Sequence, residues 1–112
     1  MSRRMSAAEP RDAAPVFAAL GDGTRLTLLM SLSQGGGRSI ASLSAQTRLT
    51  RQAVTKHLQV LENVGLVVSM RAGRERSYSL CEQRLDAARA YLNAVAAGWD
   101  EALSRLAAHV EE

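Results

Sequence analysis

Apolar residues recur along this chain at two periods, and the change from one to the other marks its elements. In LTRQAVTKHLQVLENVG (Leu49–Gly65), Val54, Leu58 and Leu61 fall at i, i+4 and i+7, one face of an α-helix. Gln52, Thr55, Lys56 and Gln59 keep the same period on the opposite face. Thr50 is placed as the N-cap, and Leu49 and Val54 have the spacing of a hydrophobic staple. Gly65 stands where a helix ends on a left-handed residue. Upstream, Ile40 and Leu43 supply the apolar side of a short helix to about Thr47, leaving Gln46–Leu49 as the turn. So short a connection packs two helices at a steep angle. Downstream the period falls to two. Leu66-Val67-Val68 opens a β-rich run, and Arg76–Leu80 alternates polar and apolar residues. Arg71-Ala72-Gly73-Arg74 reads as the tip of the hairpin between them, with Gly73 free to take positive φ.

Val16, Phe17 and Leu20 form the apolar patch of a first helix that starts at Pro15 or a little before. Gly21-Asp22-Gly23 breaks it, and Asp22 is placed to cap a second helix running to about Gln34 and burying Leu26, Leu29 and Met30. At the other end Leu85, Leu92, Trp99 and Leu106 recur every seven residues beside a second row of Ala96, Leu103 and Val110. This helix, from about Gln83 to Glu111, is longer than so small a core can cover. Either its seam packs on its own wing and first helix, or it pairs with the same helix of a second copy, helped by Val16 and Phe17. Pairing between copies is the expectation. The predicted architecture is mainly α with a small β-hairpin (α+β): a winged helix-turn-helix, dimeric through its first and last helices. It occupies residues 13–112, after a loose tail over 1–12 in which Arg3 and Arg4 offer a basic arm.

The polar face of the second helix of the pair suits a base edge. Glutamine can pair bidentately with adenine, lysine reaches guanine, and alanine or threonine meets the thymine methyl. Thr50, Arg51, Gln52, Ala53, Thr55 and Lys56 are therefore the candidates for the major groove, with Arg71, Arg74 and Arg76 as phosphate or minor-groove contacts. Any amphipathic helix has a solvated polar face, so the turn, the wing and the local charge together decide. Net charge is only +3, but residues 48–76 hold six basic and two acidic side chains, whereas 82–112 hold three and six. Positive charge gathers on the helix-turn-helix and wing, as on a nucleic-acid surface.

Three stretches, VFAALGDGTRLTLLMSLS (Val16–Ser33), LTRQAVTKHLQVLENVGLV (Leu49–Val67) and AGRERSYSL (Ala72–Leu80), make the chain resemble the ArsR (arsenic-repressor-like) family of bacterial winged-helix regulators. YLNAVAAGWDEALSRLAAHVE (Tyr91–Glu111) is similar to the last helix of a branch without metal sites. The resemblance implies a homodimer that binds operator DNA and usually represses. Two positions depart from the family pattern. Gly23 replaces a common proline at a helix start, and Ser42 stands where an acid often closes a capping box with Ser39. Metal-sensing relatives carry cysteines on the helix before the recognition helix, or paired histidine and carboxylate ligands on the last. Here Ile40–Gln46 has neither thiol nor imidazole, Asp86 has no histidine beside it, and His109 with Glu112 falls short of four zinc ligands. No metal and no cofactor are expected.

Catalysis has little footing. His57 and His109 lie far apart, no nucleophile motif or phosphate-binding glycine loop occurs, and His57 reads as a packing or phosphate-contacting residue. Cys81, the single cysteine, can form no intramolecular disulfide, and with Arg84 near it remains a candidate oxidant sensor beside the plainer reading of a partly buried thiol. No apolar run approaches a membrane span and the start lacks a signal-peptide core, so a cytoplasmic protein is expected. The functional expectation is a non-enzymatic, sequence-specific transcriptional regulator whose partners are double-stranded operator DNA and a second copy of itself. It acts as a repressor on a palindromic operator. A protein-interaction module on the same scaffold, or a redox-responsive regulator using Cys81, are the alternatives.

Overall fold

Short signals at helix ends set the order of elements in the computed structural model, which describes residues 10–111. Helices α1 (Pro10–Leu20), α2 (Gly23–Leu32), α3 (Ile40–Thr47) and α4 (Arg51–Asn63) precede strands β1 (Val67–Ala72) and β2 (Glu75–Leu80), and α5 (Glu82–Glu111) closes the chain. Asp22, Ser39 and Thr50 each take an extended conformation and accept, through the side chain, the amide three residues on, capping α2, α3 and α4. At the far end of α4, Gly65 has φ +80, its amide donates to the Glu62 carbonyl at 3.0 Å, and Leu66 donates to Leu61 at 2.9 Å. That bond pair is a Schellman closure, sealed by apolar contact of the buried Leu61 and Leu66. Ser39 has no acid at Ser42 to reciprocate its cap, so its hydroxyl carries the start of α3 alone. Replacing Ser39 with alanine should lower stability by about 1 kcal/mol, read as a drop of roughly 4–8 °C in melting temperature.

Two expectations about the first helices are corrected. The first is the start of α1, which begins at Pro10 and carries Pro15 inside it. A proline at the first helical position loses no bond, and Pro15 forfeits only the one its amide would have made to Arg11. Residues 10–12 thus belong to the helix, and the rest of the expected tail, with Arg3 and Arg4, lies outside the described residues. The second is the buried face of α2, which is Leu28, Leu29 and Leu32. Leu26 and Met30 are 49% and 68% exposed. The apolar arc of α2 is broader than the face the fold buries, so periodicity alone does not say which edge of it, Leu28 and Leu32 or Leu26 and Met30, turns inward; packing against α3 and α4 does.

Leu28, Leu43, Val54, Leu58, Leu61 and Leu66 are fully buried where α2, α3 and α4 meet, and Val67, Tyr78 and Ala88 extend this core to the hairpin and α5. The strands are antiparallel, from Val67 opposite Leu80 to Ala72 opposite Glu75. Their turn is only Gly73-Arg74, with positive φ at Gly73 alone, the pattern of a type II′ hairpin. Arg38, just before α3, pairs with Tyr78 through two backbone bonds of 3.0 and 2.8 Å, anchoring the other edge of β2. On α5, Ala88 is buried, Leu85 packs on the core, and the ring of Tyr91 lies 5.7 Å from that of Phe17 at 53°. Beyond Tyr91, α5 runs on with its large apolar residues exposed.

Candidate nucleic-acid interface

The turn between α3 and α4 is built by local polar bonds. Ser44 donates its hydroxyl to the Leu49 carbonyl, Thr47 donates to Leu43 at 2.6 Å, and the Arg48 amide donates to Ser44 at 2.9 Å with Arg48 in the left-handed region. Leu49 can then pack inward while Thr50 receives the Ala53 amide at 3.1 Å. Val54, Leu58 and Leu61 pin one face of α4 in the core. What remains outside is Thr50, Arg51, Gln52, Thr55, Lys56 and Gln59, all exposed, with Ala53 half-buried among them. Thr55 donates its hydroxyl to the Arg51 carbonyl at 2.8 Å, so its proton is spent on the helix and its oxygen remains only an acceptor.

Arg71, Arg74 and Arg76 do not all project from a tip loop. Arg74 occupies the turn, whereas Arg71 and Arg76 lie within the strands as direct cross-strand partners. Like charges at directly opposed positions repel, so this register places two arginines against each other on the wing. Among the described residues, no ion pair or side-chain bond occupies the cationic groups of Arg51, Lys56, Arg71, Arg74 or Arg76. On α5 the pattern is the reverse: Arg89 lies 3.8 Å from Asp86 and Arg105 lies 3.1 Å from Glu101. Unpaired positive charge is concentrated on the recognition helix and wing.

His57 turns inward rather than toward a phosphate. Its Nδ1 lies 3.9 Å from the Asp22 carboxylate and 3.5 Å from Arg25, whose Nε donates to the Ala19 carbonyl at 2.6 Å. The cluster ties the middle of α4 to the start of α2 and the end of α1. The Asp22 carboxyl is held below its ordinary value chiefly by the Arg25 amide that it caps; loss of hydration opposes this, and the smaller effects of the Arg25 and His57 charges add to the lowering.

At the other end of the molecule, Leu92, Ala96, Trp99, Leu103 and Leu106 are exposed along α5. Leu85, grouped with them by spacing, and Val16, expected to help the pairing from α1, belong to the protomer's own core, and Phe17 is half-buried against Tyr91. Val95 and Ala102, which a strict seven-residue count passes over, join Gly98 and Trp99 around a shallow apolar hollow of about 310 Å³. Their alternate three- and four-residue spacing from Leu92, Trp99 and Leu106 was the available signal. Cys81 is half-buried between β2 and α5, its amide donating to Leu66 at 2.8 Å. Among the described residues no group of three or more His, Cys, Asp and Glu converges, and no helix is long and apolar enough to cross a membrane.

Comparison with known proteins adds to this geometry. The family described as "Bacterial regulatory protein, arsR family" matches residues 22–69, from the α2 cap through the helix-turn-helix into β1. An uncharacterized HTH-type transcriptional regulator of Bacillus subtilis, YuzN, is 42% identical over 67 residues, 54% of this chain and 73% of that protein. The chain belongs to the arsR family. Among solved structures, an ArsR-like transcriptional regulator from Rhodococcus sp. RHA1 is similar over 96% of this chain and 97% of its own, with a TM-score of 0.84 and 34% identity. A homodimeric winged helix-turn-helix DNA-binding domain from Mycobacterium bovis is similar over 94% and 95%, with a TM-score of 0.63 and 30% identity. As an arsR-family member with this winged helix-turn-helix, the chain is a DNA-binding transcriptional regulator and not an enzyme.

Proposed function

We propose that this arsR-family protein is a cytoplasmic repressor that binds a palindromic operator as a homodimer. Thr50, Arg51, Gln52, Ala53, Thr55 and Lys56 enter the major groove, and Arg71, Arg74 and Arg76 hold the flanking backbone. The observation that carries this reading is the segregation of unpaired cations to α4 and the wing, next to an exposed glutamine and lysine in the first turns of α4. Two such faces, related by pairing of α5, would read half-sites about one helical turn apart, or a multiple of it. Repression then follows from occupancy, since a dimer seated on a promoter excludes other proteins from the same DNA. The similar domain from Mycobacterium bovis, described as homodimeric, supports the assembly.

Footprinting on the protein's own promoter, followed by anisotropy titrations, tests the reading. Gln52→Ala should weaken binding to the protected sequence by about 1–3 kcal/mol and relax discrimination at one base position. Random duplex should be bound as before. Loss of the protein should raise transcription from that promoter; a fall would make it an activator. Equal affinity of the wild type for operator and random duplex would remove α4 as the reading element.

A further inference from the structure

We infer that Arg48, in the turn between α3 and α4, is a further phosphate contact, one that spacing along α4 and the wing does not reveal. The inference rests on the operator-binding reading and extends the same surface. Arg48 has φ 64 and ψ 19, and among the described residues it is the one non-glycine with positive φ. The other four such positions, Gly35, Gly36, Gly65 and Gly73, are all glycine. A residue bearing Cβ is disfavoured there, because Cβ crowds the following carbonyl. The turn nevertheless requires this conformation. The Arg48 amide closes α3 on Ser44, and the chain must reverse at once for Leu49 to reach the core and Thr50 to cap α4.

Glycine would meet that requirement better, so the arginine side chain needs a reason of its own. Packing does not supply it, since Arg48 is exposed. Nor does an internal partner: among the described residues no carboxylate or carbonyl receives its guanidinium. Glu62 lies at the far end of α4, accepting from Ser69 at 3.1 Å. The turn's own bonds hold the backbone there, but none of them uses the arginine side chain, and strained positions of this kind cluster at binding sites. Arg48 lies in the turn two residues before the Thr50 cap, next in the chain to the N-terminal end of α4 that the operator reading places in the groove. A guanidinium there has the planar pair of donors that matches a phosphate's oxygens.

Strain and contact make opposite predictions for one substitution. Arg48→Gly should raise the melting temperature, because the left-handed position is relieved. It should also weaken operator and random duplex alike, by about tenfold per lost contact at 0.1 M salt, and make the log–log salt dependence shallower by about two per dimer. Arg48→Ala should bind as weakly without the gain in stability, and Arg48→Lys should retain most of the salt slope. Unchanged binding by the glycine variant would overturn the inference, as would loss of binding accompanied by loss of stability, which would make Arg48 a structural residue. Gln52→Ala in the same titration tells this failure from that of the operator reading, because it probes α4 independently of Arg48.

Discussion

Replacing Leu92 and Leu103 together with glutamate should turn a dimer into folded monomers that no longer hold the operator. In the protomer these side chains are 55% and 56% exposed, so neither supports its own core, and helix content by circular dichroism should be preserved. In a pair of α5 helices both would face the partner, and four carboxylates per dimer would lose water without gaining hydrogen bonds, a penalty of several kcal/mol for each. Trp99, 66% exposed in the protomer and lining the hollow with Val95, Gly98 and Ala102, reports the change directly. Its emission should move to longer wavelength in the variant as the indole meets water. Half-sites bound singly forgo the effective concentration that a linked partner provides, so operator affinity should fall by about 10²–10⁴-fold. Sedimentation of the wild type as a monomer at micromolar concentration would refute the assembly and remove the reason for a palindrome.

What could be read from the sequence depended on whether a signal was local. Thr50 and Gly65 mark the ends of α4 because a cap and a left-handed closure each need particular residues at one position, and Leu49, Val54, Leu58 and Leu61 then fix its face. The fold class followed from these together with the wing. The face of α2 did not, because Leu26, Leu28, Leu29, Met30 and Leu32 span an arc wider than the core can cover, and the pattern does not say which edge stays outside. The bridge between Arg38 and Tyr78 joins residues forty apart and has no pattern along the chain. For His57 the sequence left packing and phosphate contact both open; Asp22 and Arg25, contributed from the start of α2, turn it inward. The left-handed turn at Arg48 was hidden for the opposite reason, since the residue that usually advertises such a turn is glycine. On the wing the residue types were legible but their register was not. Only the two-residue turn shows that Arg71 and Arg76 oppose each other while Arg74 stands alone at the tip.

That register makes the wing's role measurable. Changing Arg71, Arg74 and Arg76 together to alanine should leave stability unchanged or slightly higher, because the repulsion between cross-strand partners disappears and none of the three has an internal acceptor among the described residues. Binding should respond strongly and without regard to sequence. If each arginine neutralises one phosphate, a dimer loses six contacts, and the slope of log affinity against log salt should become shallower by about five. Operator and random duplex should weaken by the same factor, unlike the effect of Gln52→Ala, which is confined to the operator. The preserved Gln52 should keep the remaining preference for operator intact, so the ratio of the two affinities separates holding from reading. An unchanged slope would mean that the wing does not touch the backbone, and that α4 and its flanking turn carry the electrostatic contact alone.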